Sequence, residues 1–224
     1  MMTDKLLWRG DCMEFMPRLP TNSIPLTLTD IPYDGVNRKS NGLRTIDKDI
    51  ADVVTFDIPK FLDEVWRVTN GTIIVFCGAN QLSEIYTYFL GKKKYGSVRQ
   101  LIWQKSNPSP MNGEHIYLNS VENAIWFKKR GGTFNARYKG SVFRHPTGSS
   151  KLHPTEKNHA LLTELILDNS NEGDVVFDPC MGSGSTGVCA LGLGRKFVGV
   201  ELHETYFETA KKRFLQKTLD NSFS

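Results

Sequence analysis

Val175-Val176-Phe177-Asp178-Pro179-Cys180-Met181-Gly182-Ser183-Gly184-Ser185-Thr186-Gly187 reads as a buried strand, a polar turn and the start of a helix. Gly182, Gly184 and Gly187 satisfy G-x-G-x-x-G directly before that helix. Glycine permits positive φ and a close approach of backbone to ligand, and the free N–H groups of a helix start favour a carboxylate or phosphate. The next strand, residues 197–201, ends in Glu201, 19 residues after Gly182, where an acid can accept both hydroxyls of a ribose. Strand, glycines, helix, strand and acid in register imply an adenosine-containing cofactor. A nicotinamide-binding turn passes from strand almost directly into the first glycine. Here Asp178-Pro179-Cys180-Met181 intervenes and puts an acid at the strand tip, which suits a cationic ligand.

Working outward, a second polar site comes far earlier in the chain. The apolar run 24–29 reads as a buried strand and delivers Asp30-Ile31-Pro32-Tyr33, 148 residues before Asp178. In most nucleotide-binding α/β chains the glycine loop follows the first strand, so this order implies circular permutation. Between and around the two sites, helical spacing marks residues 58–68, 81–90, 155–167, 185–193 and 206–216. Strand signals mark 72–77, 98–104, 121–127, 174–178 and 197–201, with Asn70-Gly71 read as a turn and 131–150 as an irregular basic insertion. Strands alternating with helices predict one α/β domain over residues 1–224, a mainly parallel sheet covered on both faces.

Composition excludes several classes. The 224 residues are 39% hydrophobic and 11% aromatic, enough for one substantial core. No apolar run approaches the roughly 20 residues that cross a bilayer, and a soluble cytoplasmic protein is expected. Cys12, Cys77, Cys180 and Cys189 show no C-x-x-C spacing, and His115, His145, His159 and His203 form no metal-spaced set, so no metal is expected. The formal charge is +4, but residues 91–157 hold thirteen Lys or Arg against three acids, a net +10, which leaves −6 elsewhere. Such asymmetry fits a polyanion-binding face on an otherwise acidic domain, although a solvated basic surface would look the same. Tyr117, Trp126, Phe127, Phe134, Tyr138 and Phe143 lie among these bases, where rings can stack on nucleobases or serve the core.

Asp178-Pro179-Cys180-Met181-Gly182-Ser183-Gly184-Ser185-Thr186 resembles the D-P-F-x-G-S-G-T loop of DNA amino-methyltransferases that use S-adenosylmethionine. Cys180 for Phe and the extra Ser185 are departures. Asp30-Ile31-Pro32-Tyr33 resembles that family's D/N/S-P-P-Y/F/W tetrapeptide, with Ile31 in place of the first proline. His153-Pro154-Thr155-Glu156-Lys157 resembles its H-P-T-x-K-P segment, with Asn158 for the last proline, and Gly10-Asp11-Cys12 its G-D segment. The resemblance spans about residues 7–214, and the order of motifs matches the β class. It implies a Rossmann-like class I methyltransferase fold and transfer of a methyl group, by in-line displacement, to a base flipped out of double-stranded DNA. In this reading the Asp30 carboxylate and Ile31 carbonyl accept the N–H groups of an exocyclic amine, Pro32 holds the turn and Tyr33 stacks on the base. Thr155 and Lys157 line the methionine end of the cofactor, Asp11 and Cys12 its adenine end, and Asp178, Pro179, Gly182, Ser183, Gly184, Thr186 and Glu201 the rest. Aspartate in the tetrapeptide points to adenine N6, with cytosine N4 as the alternative.

Arg137, Lys139, Arg144 and His145 in the basic insertion are candidates for DNA contact, and residues 34–52 for a lid or an ordinary loop. Members of this class often form homodimers, and a restriction endonuclease partner goes with a restriction-modification role. Three competing readings are a nicotinamide-dependent oxidoreductase, a non-catalytic DNA-binding protein and a cytosine-C5 enzyme using Cys180. Only 23 residues follow Glu201, too few for the rest of an unpermuted nicotinamide-binding domain, and Cys180 lies inside the cofactor loop rather than in a separate nucleophile segment.

Overall fold

A computed structural model describes residues 4–33, 56–110, 113–147 and 157–220, the last five by backbone alone. Its strands are β1 (Lys5–Arg9), β2 (Ile24–Asp30), β3 (Thr69–Cys77), β4 (Gly96–Lys105), β5 (Val121–Lys129), β6 (Val142–His145), β7 (Val175–Asp178) and β8 (Lys196–Glu201). Its helices are α1 (Cys12–Phe15), α2 (Ile58–Val68), α3 (Leu82–Gly91), α4 (His159–Asn169), α5 (Ser185–Gly192) and α6 (Glu204–Asp220). The strands form one sheet in the order β1-β8-β7-β2-β3-β5-β4-β6, parallel throughout except where β5 lies antiparallel between β3 and β4. The first strand pairs with the last, Lys5 beside Phe197 and Arg9 beside Glu201, as a permuted chain requires.

Alternation along β3 shows why the central strands read as continuous apolar runs. Ile74 and Phe76 face a core shared with Leu161, Leu165, Ala190 and Phe214 of α4, α5 and α6. Ile73, Val75 and Cys77 face the other core, with Phe15, Phe61, Val65 and Phe89 of α1, α2 and α3. With period 2 and helices on both faces, residues 71–77 of β3 are all buried. Asp57 starts α2 by accepting the Lys60 N–H at 3.0 Å, and Phe61, Leu62, Val65 and Val68 then bury one face.

Several expectations are corrected. Lys5–Arg9 is an edge strand where none was predicted. Asn70-Gly71 is not a turn: both residues lie inside β3, at a bulge where Ile24 pairs with Thr69 but Leu26 with Thr72. Glycine is required there because a Cβ on Gly71 would lie 2.1 Å from the Pro25 carbonyl oxygen. The insertion at 131–150 is not wholly irregular, since Val142–His145 pairs with Ile102–Lys105 as an eighth strand. The helix expected from 155 begins at His159 because the Asn158 side chain caps it, accepting the Leu161 N–H at 3.1 Å. No helix among the described residues is long and apolar enough to cross a membrane.

Candidate active site at the strand tips

The C-terminal tips of β2, β7 and β8 carry Asp30, Asp178 and Glu201 side by side. Chain direction places the switch point here: β2 runs on to β3 on one side of the sheet and β7 to β8 on the other. The crevice above such a point is where open α/β sheets bind ligands.

On the β7–β8 side the loop is shaped by backbone. Gly182 and Gly184 have φ of +52° and +83°, and Gly184 N–H closes the turn on Met181 O at 2.8 Å. The glycines divide their work. A Cβ on Gly182 would meet nothing within 4 Å, which leaves open space over the loop, whereas one on Gly187 would come within 2.5 Å of Phe214 and 2.6 Å of Phe197. Gly187 therefore lets α5 pack on β8 and α6. Pro179 is buried, and Ser183 is gripped by Arg213 of α6, which donates to its carbonyl and its hydroxyl at 3.1 Å each. Thr186 lies buried in the first turn of α5 and hydrogen bonds to Asp178.

Asp178 is buried, and burial pushes its carboxyl up to about 7, against the donors Thr186 and the Cys180 N–H, with Asp30 nearby adding to the rise. Burial likewise raises Glu201, although its oxygens accept the N–H groups of His203 at 2.7 Å and Gly182 at 2.9 Å. Asp11 caps α1 through the Met13 N–H at 2.8 Å, which leaves its second oxygen for another donor. Cys12 is buried beside Cys180, whose thiol is pushed well up by a hydrogen bond with Cys12 and by burial. A thiol held in its protonated form is a poor nucleophile, so Cys180 serves packing.

On the β2 side the tetrapeptide is firmly held. Ile31 is 1% exposed, with its side chain in the core and its N–H donating to Phe76 O at 3.2 Å. Gln81, 2% exposed, donates to the Pro32 carbonyl at 2.9 Å and accepts the Gly78 N–H at 2.9 Å. These contacts fix the turn that a second proline would otherwise stiffen. Tyr33 donates its hydroxyl to Asp30 Oδ1 at 2.6 Å, and burial holds that hydroxyl well above the usual tyrosine range.

Lys157, expected at the methionine end of the cofactor, meets the tetrapeptide directly. Its Nζ lies 2.5 Å from Asp30 Oδ2, 2.8 Å from Glu122 Oε2 and 3.1 Å from the Tyr33 hydroxyl, while Lys105 reaches Glu122 Oε1 at 2.9 Å. Burial opposes the Lys157 charge, but Asp30, Tyr33 and Glu122 outweigh it and hold the ammonium well above the usual lysine range. Burial alone would raise Glu122, yet Lys157 and Lys105 bring it below the usual carboxylate range. Glu122, Lys105 and Gln81 escaped the sequence reading. Only the strand signal over 121–127, which places Glu122 near a strand start, hinted at the first.

The basic candidates fall into two groups. Arg144 and His145 stand at the catalytic end of β6 beside Lys105, with Arg144 Nε donating to Gln104 Oε1 at 2.9 Å and His145 meeting Glu164 at 2.6 Å. Lys139 bridges Glu164 at 2.8 Å and Asp168 at 2.5 Å on α4. Exposed Arg137 lies between Lys139 and Asn135, which binds the Leu167 and Ser170 carbonyls where α4 ends. Lys139 and His145 therefore share the Glu164 carboxylate, one on each oxygen. Thr155 and the candidate lid at 34–52 lie outside the described residues. Among the described residues no three His, Cys, Asp or Glu converge as a metal site.

Known proteins share this arrangement. The model of the N6/N4 DNA methylase family matches residues 24–212. The chain is 30% identical to the Type II methyltransferase M.HinfI of Haemophilus influenzae, over 92% of this chain and 67% of that one. It is 26% identical to M2.DpnII of Streptococcus pneumoniae, over 93% and 88%. Among solved structures, the M1.HpyAVI–SAM complex superposes with a TM-score of 0.72 at 26% identity, over 93% and 99%. The PvuII cytosine-N4-specific methyltransferase has a TM-score of 0.75 at 18% identity, over 95% and 86%, and so shares the fold. The observed crevice suits the family's cofactor, S-adenosylmethionine: open space over Gly182, a buried acid without a cation at Asp178 and an acid at the β8 tip. With its permuted sheet and paired strand-tip acids, the chain belongs to the S-adenosylmethionine-dependent DNA amino-methyltransferases, which act on adenine N6 or cytosine N4.

Proposed function

We propose that this chain methylates N6 of an adenine flipped out of double-stranded DNA. The observation that carries the reading is the placement of Asp30 and Asp178 at the tips of adjacent parallel strands, so that amine and methyl donor meet over one crevice. An exocyclic amine is a poor nucleophile because its lone pair is delocalised into the ring. Asp30 and the Ile31 carbonyl accept its two N–H groups, draw nitrogen toward tetrahedral geometry and relieve positive charge as the methyl arrives, and the methylated nitrogen then gives up one of these protons, through Asp30, to solvent. Bound S-adenosylmethionine supplies that methyl on a positively charged sulfur, ready for in-line displacement. Pro32, tethered by Gln81, keeps both acceptors in place, and the Tyr33 ring stacks on the base once its hydroxyl leaves Asp30.

In the same reading Glu201 takes the ribose, Asp11 and Cys12 border the adenine, and Gly182, Ser183, Gly184 and Thr186 shape the loop beside the methionine end. Asp178, Pro179, Thr155 and Lys157 complete that end. Aspartate at position 30 favours adenine over cytosine through the family resemblance. The whole chain acts as one catalytic domain, and the basic stretch 131–150 recognises the target, with Arg144 and His145 nearest the site. A homodimer and a restriction endonuclease partner extend the reading from the Type II methyltransferase relatives. Sedimentation with and without DNA tests the first, and protection of host DNA from cleavage tests the second.

The reaction is tested by incubating protein, duplex DNA and methyl-labelled cofactor, then digesting to nucleosides. Label in N6-methyldeoxyadenosine is the expected result. Label in N4-methyldeoxycytidine would change the base, and label in C5-methyldeoxycytidine, or none, would overturn the proposal.

A further inference from the structure

Asp30 is the acceptor for the target amine in the proposed reaction, yet both of its oxygens are engaged in the free protein. Lys157 takes Oδ2 at 2.5 Å and the Tyr33 hydroxyl takes Oδ1 at 2.6 Å. Lys157 donates hydrogen bonds to Asp30 and to the Tyr33 hydroxyl and forms an ion pair with Glu122 Oε2 at 2.8 Å. The lysine thus stands where an N–H group of the base must arrive. Expelling it to make room would strand a buried cation, which is far less favourable than keeping it paired.

Glu122 offers the alternative partner. It sits near the start of β5, its side chain is 20% exposed, and its two oxygens already hold Lys157 at 2.8 Å and Lys105 at 2.9 Å. Resting on the proposed reaction, we infer that Glu122 is a positioning residue for methyl transfer. It retains the Lys157 ammonium when the target amine replaces that ammonium on Asp30, so the site opens by exchange of hydrogen-bond partners. No proton changes hands: one Lys157 N–H leaves Asp30, one amine N–H takes the vacated oxygen, and Lys157 stays charged against Glu122.

The test uses the full chain with duplex DNA and labelled cofactor, comparing the wild type, Glu122→Gln and Glu122→Asp. Glutamine keeps the shape but not the charge, so Lys157 clings to Asp30. It should lower kcat by about 10–100-fold, the usual weight of a hydrogen bond to a charged group, with cofactor and duplex Kd unchanged. Aspartate keeps the charge and should recover most of kcat. If Glu122→Gln does not fold, Glu122→Ala replaces it as the uncharged variant, with the same lowered kcat and an unaltered cofactor Kd expected. An unchanged kcat in Glu122→Gln, equal loss in both variants, or a cofactor Kd weakening in step with kcat would each overturn the inference while the proposed reaction stands. No amine methylation by the wild type would overturn both.

Discussion

The two halves of the crevice treat charge in opposite ways. On the β7–β8 side, Asp178 and Glu201 are buried acids served by N–H and hydroxyl donors, no lysine or arginine among the described residues pairs with either, and burial raises both. On the β2–β5 side, Asp30 and Glu122 are matched by Lys157 and Lys105, and Glu122 is held low. One half gains by accepting a cation. The other is already neutralised and accepts a ligand only by releasing a partner.

The largest break in this contrast comes from Asp30→Ala. Transfer should fall by about 10³-fold or more, the scale of losing a preorganised acceptor, while cofactor Kd measured by calorimetry stays nearly unchanged. Glu201→Ala should do the reverse, weakening cofactor binding by about 10–100-fold, because the acid proposed to receive the ribose, which also holds the Gly182 N–H, is gone.

Asp178 sharpens the comparison through pH. Its carboxyl is raised from 3.8 to about 7 on folding, so the folded state favours the neutral acid. The stability this confers is fully present below pH 3.8 and is lost as pH rises through 7, by up to about 4 kcal/mol. Thermal melts of the cofactor-free protein should therefore fall more steeply between pH 4 and 8 in wild type than in Asp178→Asn, with the gap narrowing when cofactor is added. Parallel pH profiles would contradict this. The smallest effect separates the basic groups. Arg144→Ala should weaken duplex binding severalfold and lower the salt slope by about one, whereas Lys139→Ala, which cuts ion pairs to α4, should lower the melting temperature and leave the salt slope alone.

The cofactor half was legible in the sequence because its parts are local: strand, glycines and helix are contiguous, and Glu201 ends the very next strand. The base half was legible only in its tetrapeptide. Lys157 meets Asp30 across 127 residues, and a long-range ion pair leaves no periodic trace. β1 was missed because it is a five-residue edge strand that ends in Lys5 and Arg9 and leaves Leu6 49% exposed. β6 was hidden by its four-residue length, and the bulge at Gly71 by a steric demand from Pro25 that only the folded chain reveals.

The central claim, that this crevice joins a methyl group to an amino nitrogen, is tested most directly by isotope coupling. Duplex DNA labelled with ¹⁵N at the adenine and cytosine amines is incubated with the protein and ¹³C-methyl cofactor, and the product is read by NMR. A one-bond ¹³C–¹⁵N coupling on the new methyl signal is the predicted result. A DNA methyl signal without that coupling, or none at all, would contradict the account.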